Sequence, residues 1–247
     1  MKRNIQIILT SCAAVMAVVA ILCCLATACT HIRQGVCKQL VINIADKEQR
    51  YFITEKEITS TLSQNGLAVV GKDMESIITQ HIEDIVRSHE IVRTAECYKT
   101  QLGDVRIDLT QRVPLLRVTT PAESYFIDTD RKRMPVRAGI NSKVIPVNGH
   151  VGQQMAQSEI ADFVVWMQDN TYWSSRITAI DVKEGKQFVL RRQDGSRILL
   201  GELAGYKQKL KRLRIFLEEK EKGADIPQYK EIDLRYKGQV IGRKKQD

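Results

Sequence analysis

From Asn4 to Thr30 the chain carries no aspartate, glutamate, lysine or arginine, while Lys2 and Arg3 stand just before that stretch. The apolar heart of the segment, Ile5 to Ala28, is 24 residues long, roughly 36 Å as a helix at about 1.5 Å per residue. A bilayer's hydrocarbon core is about 30 Å thick, so this segment is expected to span one with some tilt. The two basic residues on its short side favour a cytoplasmic N-terminus. Everything after Ala28 is then expected outside, which in a bacterium is the periplasm or cell surface. Two rival readings stay open. Ala26-Thr27-Ala28 has the small residues of a signal-peptide cleavage site, although the apolar region exceeds the usual length of about 7–15 residues. Leu25-Ala26-Thr27-Ala28-Cys29 is a loose lipoprotein box with Ala26 where a larger aliphatic residue is usual. All three readings export the folded part, and apolar length favours the uncleaved anchor.

Charge and cysteine usage narrow the function classes. Lysine and arginine number 38 against 29 acidic residues, a formal +9. That leaves anionic lipid or an acidic partner open. Export argues against nucleic acid. Six cysteines in 247 residues are too few for a disulfide scaffold. Cys12, Cys23, Cys24 and Cys29 lie in or beside the apolar segment, which leaves Cys37 and Cys97 as a pair that could bond in an oxidising compartment.

The remainder reads as two folded regions. In the first, Leu40 to Ile44 is a short apolar strand. Thr54 opens a helix with Glu57 at capping-box spacing, Ile58 and Leu62 share its inner face, and Asn65-Gly66 ends it. A second helix is expected after Gly71 with Asp73 as cap, on a stripe of Met74, Ile77, Ile78, Ile82, Ile85 and Val86. Ala95 to Lys99 is extended, a turn follows at Gly103-Asp104, and Val105, Ile107 and Leu109 alternate with polar residues as a half-buried strand. The expected order is strand, helix, helix, strand, strand, with the helices on one face of the sheet.

The second region is mixed. Ser124 to Ile127 is strand-like, Asp128 to Arg133 a charged loop, and Ile145 to Gly149 extended. Ser158 is placed as the cap of a helix carrying Ile160, Phe163, Val164 and Met167. Ile177 to Val182 and Phe188 to Arg192 read as strands, and Asp194-Gly195 as a hairpin turn into Arg197 to Leu200. Tyr206, Leu210, Leu213 and Leu217 mark a helix ended by Gly223. Ile232 to Tyr236, continuing through Val240-Ile241, reads as one closing strand.

No catalytic constellation emerges. The sequence lacks HExxH, GxSxG, P-loop and GxGxxG motifs, and His31, His81, His89 and His150 are scattered without ligand spacing. His81 is read as a core or boundary imidazole. Asp46 with Glu48, and Asp128 with Asp130, read as polar turn residues rather than catalytic pairs. Lys207, Lys209, Lys211, Arg212 and Arg214 read as the solvated back of their helix, since no aromatic residues interleave to stack bases. The expectation is no enzyme, no cofactor and no metal.

Several segments in order resemble the FtsQ/DivIB family of bitopic cell-division proteins. They are Thr54-Glu55-Lys56-Glu57-Ile58, Val105 to Leu109 with Arg112-Val113-Pro114, and Tyr125-Phe126-Ile127-Asp128. Further on come Ile145 to Gly149, Asp194-Gly195 through Gly201, Lys209 to Leu213, and Ile232-Asp233-Leu234-Arg235-Tyr236. Two departures stand out: Gln111 where an acidic residue is usual before the Arg-x-Pro, and Thr129 to Arg133 where a glycine is expected after Asp128.

The resemblance implies an α+β architecture: a cytoplasmic tail (1–4), a single transmembrane helix (5–28), a linker (29–38), a POTRA module of β-α-α-β-β order (39–118), and a β-rich domain with helices (119–247). It implies a non-enzymatic divisome scaffold of the inner membrane, periplasmic in bulk and located at the septum. Its partners would be FtsB/FtsL-type coiled-coil proteins, with other septal proteins besides, and its anchor would contact the lipid bilayer. Binding would be by β-augmentation at Asp233 to Arg243, through Arg235, Tyr236, Lys237, Gln239, Val240 and Ile241. A rival class is a lipid-anchored or single-span enzyme or binding protein acting on the cell envelope. Another is a POTRA module of outer-membrane assembly machinery.

Overall fold

A computed structural model describes residues 15–24, 35–45, 52–137, 144–221 and 229–244. Residues 15–24 are helical, and the rest of the expected span lies outside the described residues, as do Asp46, Glu48 and Gly223. Among the described residues no helix is long and apolar enough to cross a membrane. The chain divides into two units at Gln111/Arg112, short of the boundary expected at 118.

In the first unit, β1 (Leu40–Ile44), α1 (Glu55–Gln64), α2 (Thr79–Ser88), β2 (Val92–Lys99) and β3 (Val105–Gln111) follow the expected order. β3 lies at the centre of the sheet, parallel to β1 and antiparallel to β2. The strict alternation of β3 puts Val105, Ile107 and Leu109 inside, under Ile58 and Leu62 of α1 and Ile82 and Val86 of α2. Thr54 caps α1 as its spacing suggests, its hydroxyl accepting the Glu57 amide at 3.1 Å.

Two expectations fail here. α2 starts at Thr79, not near Asp73, whose carboxylate instead accepts the Glu75 amide at 2.9 Å in a local turn. Consequently Ile78 falls outside the buried stripe and is 67% exposed, and His81 is exposed as well, not a core imidazole. Periodicity continued through the turn because apolar spacing alone does not register where helical hydrogen bonding begins.

The departure at Gln111 has a structural use. This side chain is buried, and its carboxamide oxygen accepts the backbone amides of Phe52 at 2.8 Å and Ile53 at 3.2 Å, pinning the entry to α1 onto the end of β3. A neutral acceptor does this without the cost of a buried charge.

Cys37 and Cys97 are both buried, and both are free thiols. Burial, with Glu83 beside it, pushes the Cys97 thiol up to about 11. At pH 8 the thiolate fraction falls roughly 100-fold below that of an unperturbed cysteine. Iodoacetamide labelling followed by peptide mass analysis should therefore find Cys97 unmodified in the folded chain and fully modified in urea. Equal labelling rates in both states would contradict this packing.

Among the described residues the second unit forms a nine-stranded sheet in the order β12-β11-β10-β9-β8-β7-β4-β5-β6. Its strands are β4 (Pro114–Thr119), β5 (Ser124–Asp128), β6 (Arg133–Pro135), β7 (Ile145–Gly149), β8 (Ile177–Lys183), β9 (Gln187–Arg192), β10 (Arg197–Gly201), β11 (Tyr229–Asp233) and β12 (Ile241–Lys244). The pairs β4–β5, β5–β6, β8–β9, β9–β10 and β11–β12 are antiparallel, whereas β4 with β7, β7 with β8, and β10 with β11 are parallel. The parallel pairs require crossovers: β5 and β6 lie in the connection from β4 to β7, α3 (residues 153–169) with the short α4 (Thr171–Ser174) joins β7 to β8, and α5 (Tyr206–Glu221) joins β10 to β11.

Ile160, Phe163, Val164 and Met167 of α3 and Leu210, Leu213 and Leu217 of α5 are buried in one core with Leu116, Val118, Val147, Ile180, Leu190, Ile198 and Ile232. The apolar stripe of α3 is as expected, but Ser158 does not cap it. The helix begins at Gln153, and Ser158 sits in a π-helical stretch, Ala156–Ile160, where its hydroxyl donates to the Gln154 carbonyl at 2.8 Å. Nor is the basic back of α5 wholly solvated. Lys209 donates its ammonium to the carbonyls of Leu200 at 3.0 Å and Glu202 at 2.8 Å, tying α5 to the end of β10, and burial lowers its pKa.

The charged loop after Asp128 resolves the missing glycine. Asp128 is buried and accepts the Lys132 amide at 2.7 Å. Arg131 occupies the left-handed region at φ 64°, a position that glycine would take without strain. Two contacts hold it there: its guanidinium reaches Asp162 at 2.8 Å and its carbonyl accepts the Gln157 amide group at 2.9 Å.

Candidate partner-binding edge

The second unit's sheet ends on one side at β12, and this end gathers the residues singled out in the sequence. The expected single strand from Ile232 to Ile241 is instead a hairpin. β11 stops at Asp233, a connection runs from Leu234 to Val240, and β12 returns antiparallel with Asp233 opposite Ile241 and Ile232 opposite Gly242. The break is local chemistry. Gly238 takes φ 78°, a left-handed conformation that glycine adopts without a Cβ clash, and the Gln239 amide closes the turn on the Tyr236 carbonyl at 3.2 Å.

Two buried side chains, Ile232 and Leu234, anchor this hairpin to the core. The Leu234 amide donates to the Leu199 carbonyl at 2.9 Å, extending the β10–β11 ladder by one step. Arg235 turns outward and folds back onto Asp233 as a two-pronged ion pair, with its Nη2 at 2.6 Å from Oδ2 and its Nε at 3.0 Å from Oδ1. That guanidinium holds the Asp233 carboxyl below the usual carboxylate range. The Arg235 stem passes Gly201, where an added Cβ would lie 3.0 Å from Arg235 Cγ, so the glycine at the end of β10 makes room for it.

Of the six residues marked in the sequence, Arg235, Tyr236, Lys237 and Gln239 are exposed in the connection, with Tyr236 54% accessible. Val240 is half-buried against the core, and Ile241 opens β12 at 46% exposure. The run marked in the sequence, Asp233 to Arg243, is divided between the connection and β12, which extends one residue further to Lys244. All four residues of β12 are exposed, and β12 pairs with β11 alone among the described strands. A Cβ at Gly242 would sit 2.4 Å from the Tyr229 ring, so the aromatic side chain lies across the glycine.

Next to this edge the exposed face of β8, β9 and β10 forms a shallow concavity of about 700 Å³, lined among others by Lys183, Arg191, Arg197, Phe188 and Arg235. Its cations are positioned by acids: Arg191 on Asp181 at 2.6 Å and Arg197 on Glu231 at 3.1 Å, with Arg243 of β12 at 3.8 Å from the same Glu231. Among the described residues no group of three or more His, Cys, Asp or Glu side chains could hold a metal ion. Among the described residues the outer rim of β12 has no paired strand, and it stands beside aromatic and cationic side chains.

The chain is similar to two family models. One, described as FtsQ/DivIB, C-terminal related, matches residues 113–243. The other, a POTRA-like domain, matches residues 35–110. No curated protein matches the chain.

Proposed function

The chain belongs to the FtsQ/DivIB family of cell-division proteins, and from that premise we propose that it is a non-enzymatic scaffold of the divisome. In this reading the segment 5–28 anchors it in the inner membrane with the bulk of the chain in the periplasm. A partner segment adds to the outer rim of β12 as a further strand. The partner class is the FtsB/FtsL-type coiled-coil division proteins named by the family resemblance.

One observation carries the proposal: β12 is the terminal strand of a long sheet and every one of its residues is exposed. An unpaired rim of this kind is a template for strand addition unless it is shielded. Backbone hydrogen bonds along β12 supply affinity and are blind to sequence. Tyr236 and Ile241 supply apolar contact, and Arg235, Lys237 and Arg243 select for carboxylates on the incoming strand.

Photocrosslinking in dividing cells tests this. A photoreactive residue in place of Tyr236 or Ile241 should capture one small division protein, identified by mass. A photoreactive residue on β6, the opposite end of the sheet, should not capture it. Equal capture of that protein from both ends, or none from the β12 end, would overturn the assignment.

A further inference from the structure

Residues 35–38, the first described after the expected span, do not hang free at the end of the first unit. They thread between two loops. Gly71 donates to the Cys37 carbonyl and Cys37 to the Lys72 carbonyl, each at 2.8 Å, and Lys38 donates to the Gly103 carbonyl at 2.9 Å. The Met74 amide adds a fourth bond to the Gly35 carbonyl at 3.0 Å. These bonds collect the tips of three segments at one end of the POTRA unit.

Those tips carry large apolar side chains turned to solvent. Val36 is 57% exposed, Val70 59% and Leu102 72%. Loop tips are ordinarily polar, and three such side chains on adjoining loops form a patch that calls for a covering surface. Lysines rim it. Lys38 and Lys72 are exposed beside Val36 and Val70, and the Lys99 ammonium donates to the Met74 carbonyl at the base of the same loop. Two acids share the loop, Asp73 and Glu75, and the Asp73 carboxylate is occupied by the Glu75 amide at 2.9 Å.

Chain length says what lies opposite. Only residues 29–34 separate Ala28 from Gly35. At about 3.5 Å per residue that tether reaches roughly 25 Å at most. The far end of the unit, where Gln111 meets the entry to α1, is a further seven-residue strand away, about 20 Å. The tether therefore holds the Val36–Val70–Leu102 end near the headgroups whenever the span is in place.

We propose that Val36, Val70 and Leu102, flanked by Lys38 and Lys72, seat the POTRA unit in the headgroup layer of an anionic bilayer, so that it stands on the membrane through a built foot. Apolar tips enter the interface and the lysines extend to lipid phosphates, a division of labour amphipathic side chains perform at membrane surfaces. This rests on the reading of 5–28 as an uncleaved span.

The test uses the full chain in vesicles of phosphatidylethanolamine and phosphatidylglycerol, with a photoreactive residue at Val70, at Leu102, or at Lys56 on the far end. Intact mass after irradiation should show lipid adducts at Val70 and Leu102 at least tenfold above those at Lys56. Adduct yield should fall several-fold on phosphatidylcholine vesicles or in the Lys38→Glu/Lys72→Glu variant. Flotation separates the two ways to fail. A chain that does not float with the vesicles refutes the span and the seat together. One that floats, yet gives adducts only at the Lys56 level or captures polypeptide instead of lipid, keeps the span and overturns the seat. Equal yields on neutral vesicles overturn the role of the lysines.

Discussion

Replacing Gly149 with alanine is expected to destabilise the second unit by about 3–4 kcal/mol, far more than its small change in size suggests. Gly149 ends β7 at φ 103°, opposite Val182 of β8. An added Cβ would lie 2.3 Å from the Val182 carbonyl oxygen and 3.3 Å from its carbon. Backbone cannot swing aside as a side chain can, and that same oxygen accepts the His150 amide at 2.9 Å. Relief of the clash therefore breaks a hydrogen bond and opens the parallel β7–β8 seam at the centre of the sheet.

The comparison variant is Gly195→Ala, at φ 81° with open space around the new Cβ. It carries the positive-φ penalty alone, about 1 kcal/mol. Both tryptophans, Trp166 and Trp173, lie in the second unit. Their fluorescence during urea unfolding of detergent-solubilised protein reports this unit by itself. Equal midpoint shifts for the two variants would show that the clash is absorbed and the argument from Val182 wrong.

The second large effect is on binding. Arg235→Glu combined with Tyr236→Ala should lower capture of the strand-adding partner at least 100-fold while the unit stays folded. Hot-spot truncations of exposed aromatic and arginine anchors commonly cost about 2 kcal/mol or more each. Here the reversal also sets a second carboxylate against Asp233, which now holds Arg235 at 2.6 Å. Folding should survive because Ile232 and Leu234, the residues that fix β11 to the core, are untouched.

Affinity by pull-down or calorimetry, with circular dichroism as the control, checks the outcome. Unchanged affinity would remove these residues from the binding surface. The ion pair also has a pH signature. A carboxyl held below its ordinary range favours the folded state above the unfolded-chain value, near 3.9 for aspartate, and that contribution is lost as pH falls through the lower folded value. The Arg235–Asp233 clamp should therefore persist through pH 5 to 8 and release only in strong acid.

Much of the architecture was legible because it is written in short-range signals. The Thr54 cap, the alternation in Val105 to Leu109, and the Asp194-Gly195 hairpin each depend on residues within a few positions of one another. What misled did so for a physical reason. Asp73 and Ser158 have side chains suited to helix starts, but the same groups satisfy a turn amide or a preceding carbonyl when the helix begins elsewhere. The run from Ile232 to Ile241 has strand-like composition at both ends. The reversal between them turns on Gly238, whose left-handed conformation composition does not disclose.

The candidate edge shows the same division. Arg235, Tyr236 and Ile241 were marked through the family resemblance, whereas the exposure of the whole of β12 is visible only in the fold, because an edge is defined by which strand is missing beside it. Likewise Arg131 gives no sign in the sequence that it takes a glycine's conformation. The contacts that hold it there come from Asp162 and Gln157, far along the chain.

By itself the amino-acid order determined the long apolar N-terminal segment, the β-α-α-β-β order of the first unit, and which faces of most helices turn inward, since periodicity and capping act over a few residues. Only the tertiary structure decided that β10 and β11 lie parallel, that β12 stands last in a nine-stranded sheet, and that Val36, Val70 and Leu102 share one end of the first unit. Those are pairings between distant segments. They are settled by which burial and hydrogen-bond arrangement satisfies the whole chain at once, and no window of neighbouring residues contains that information.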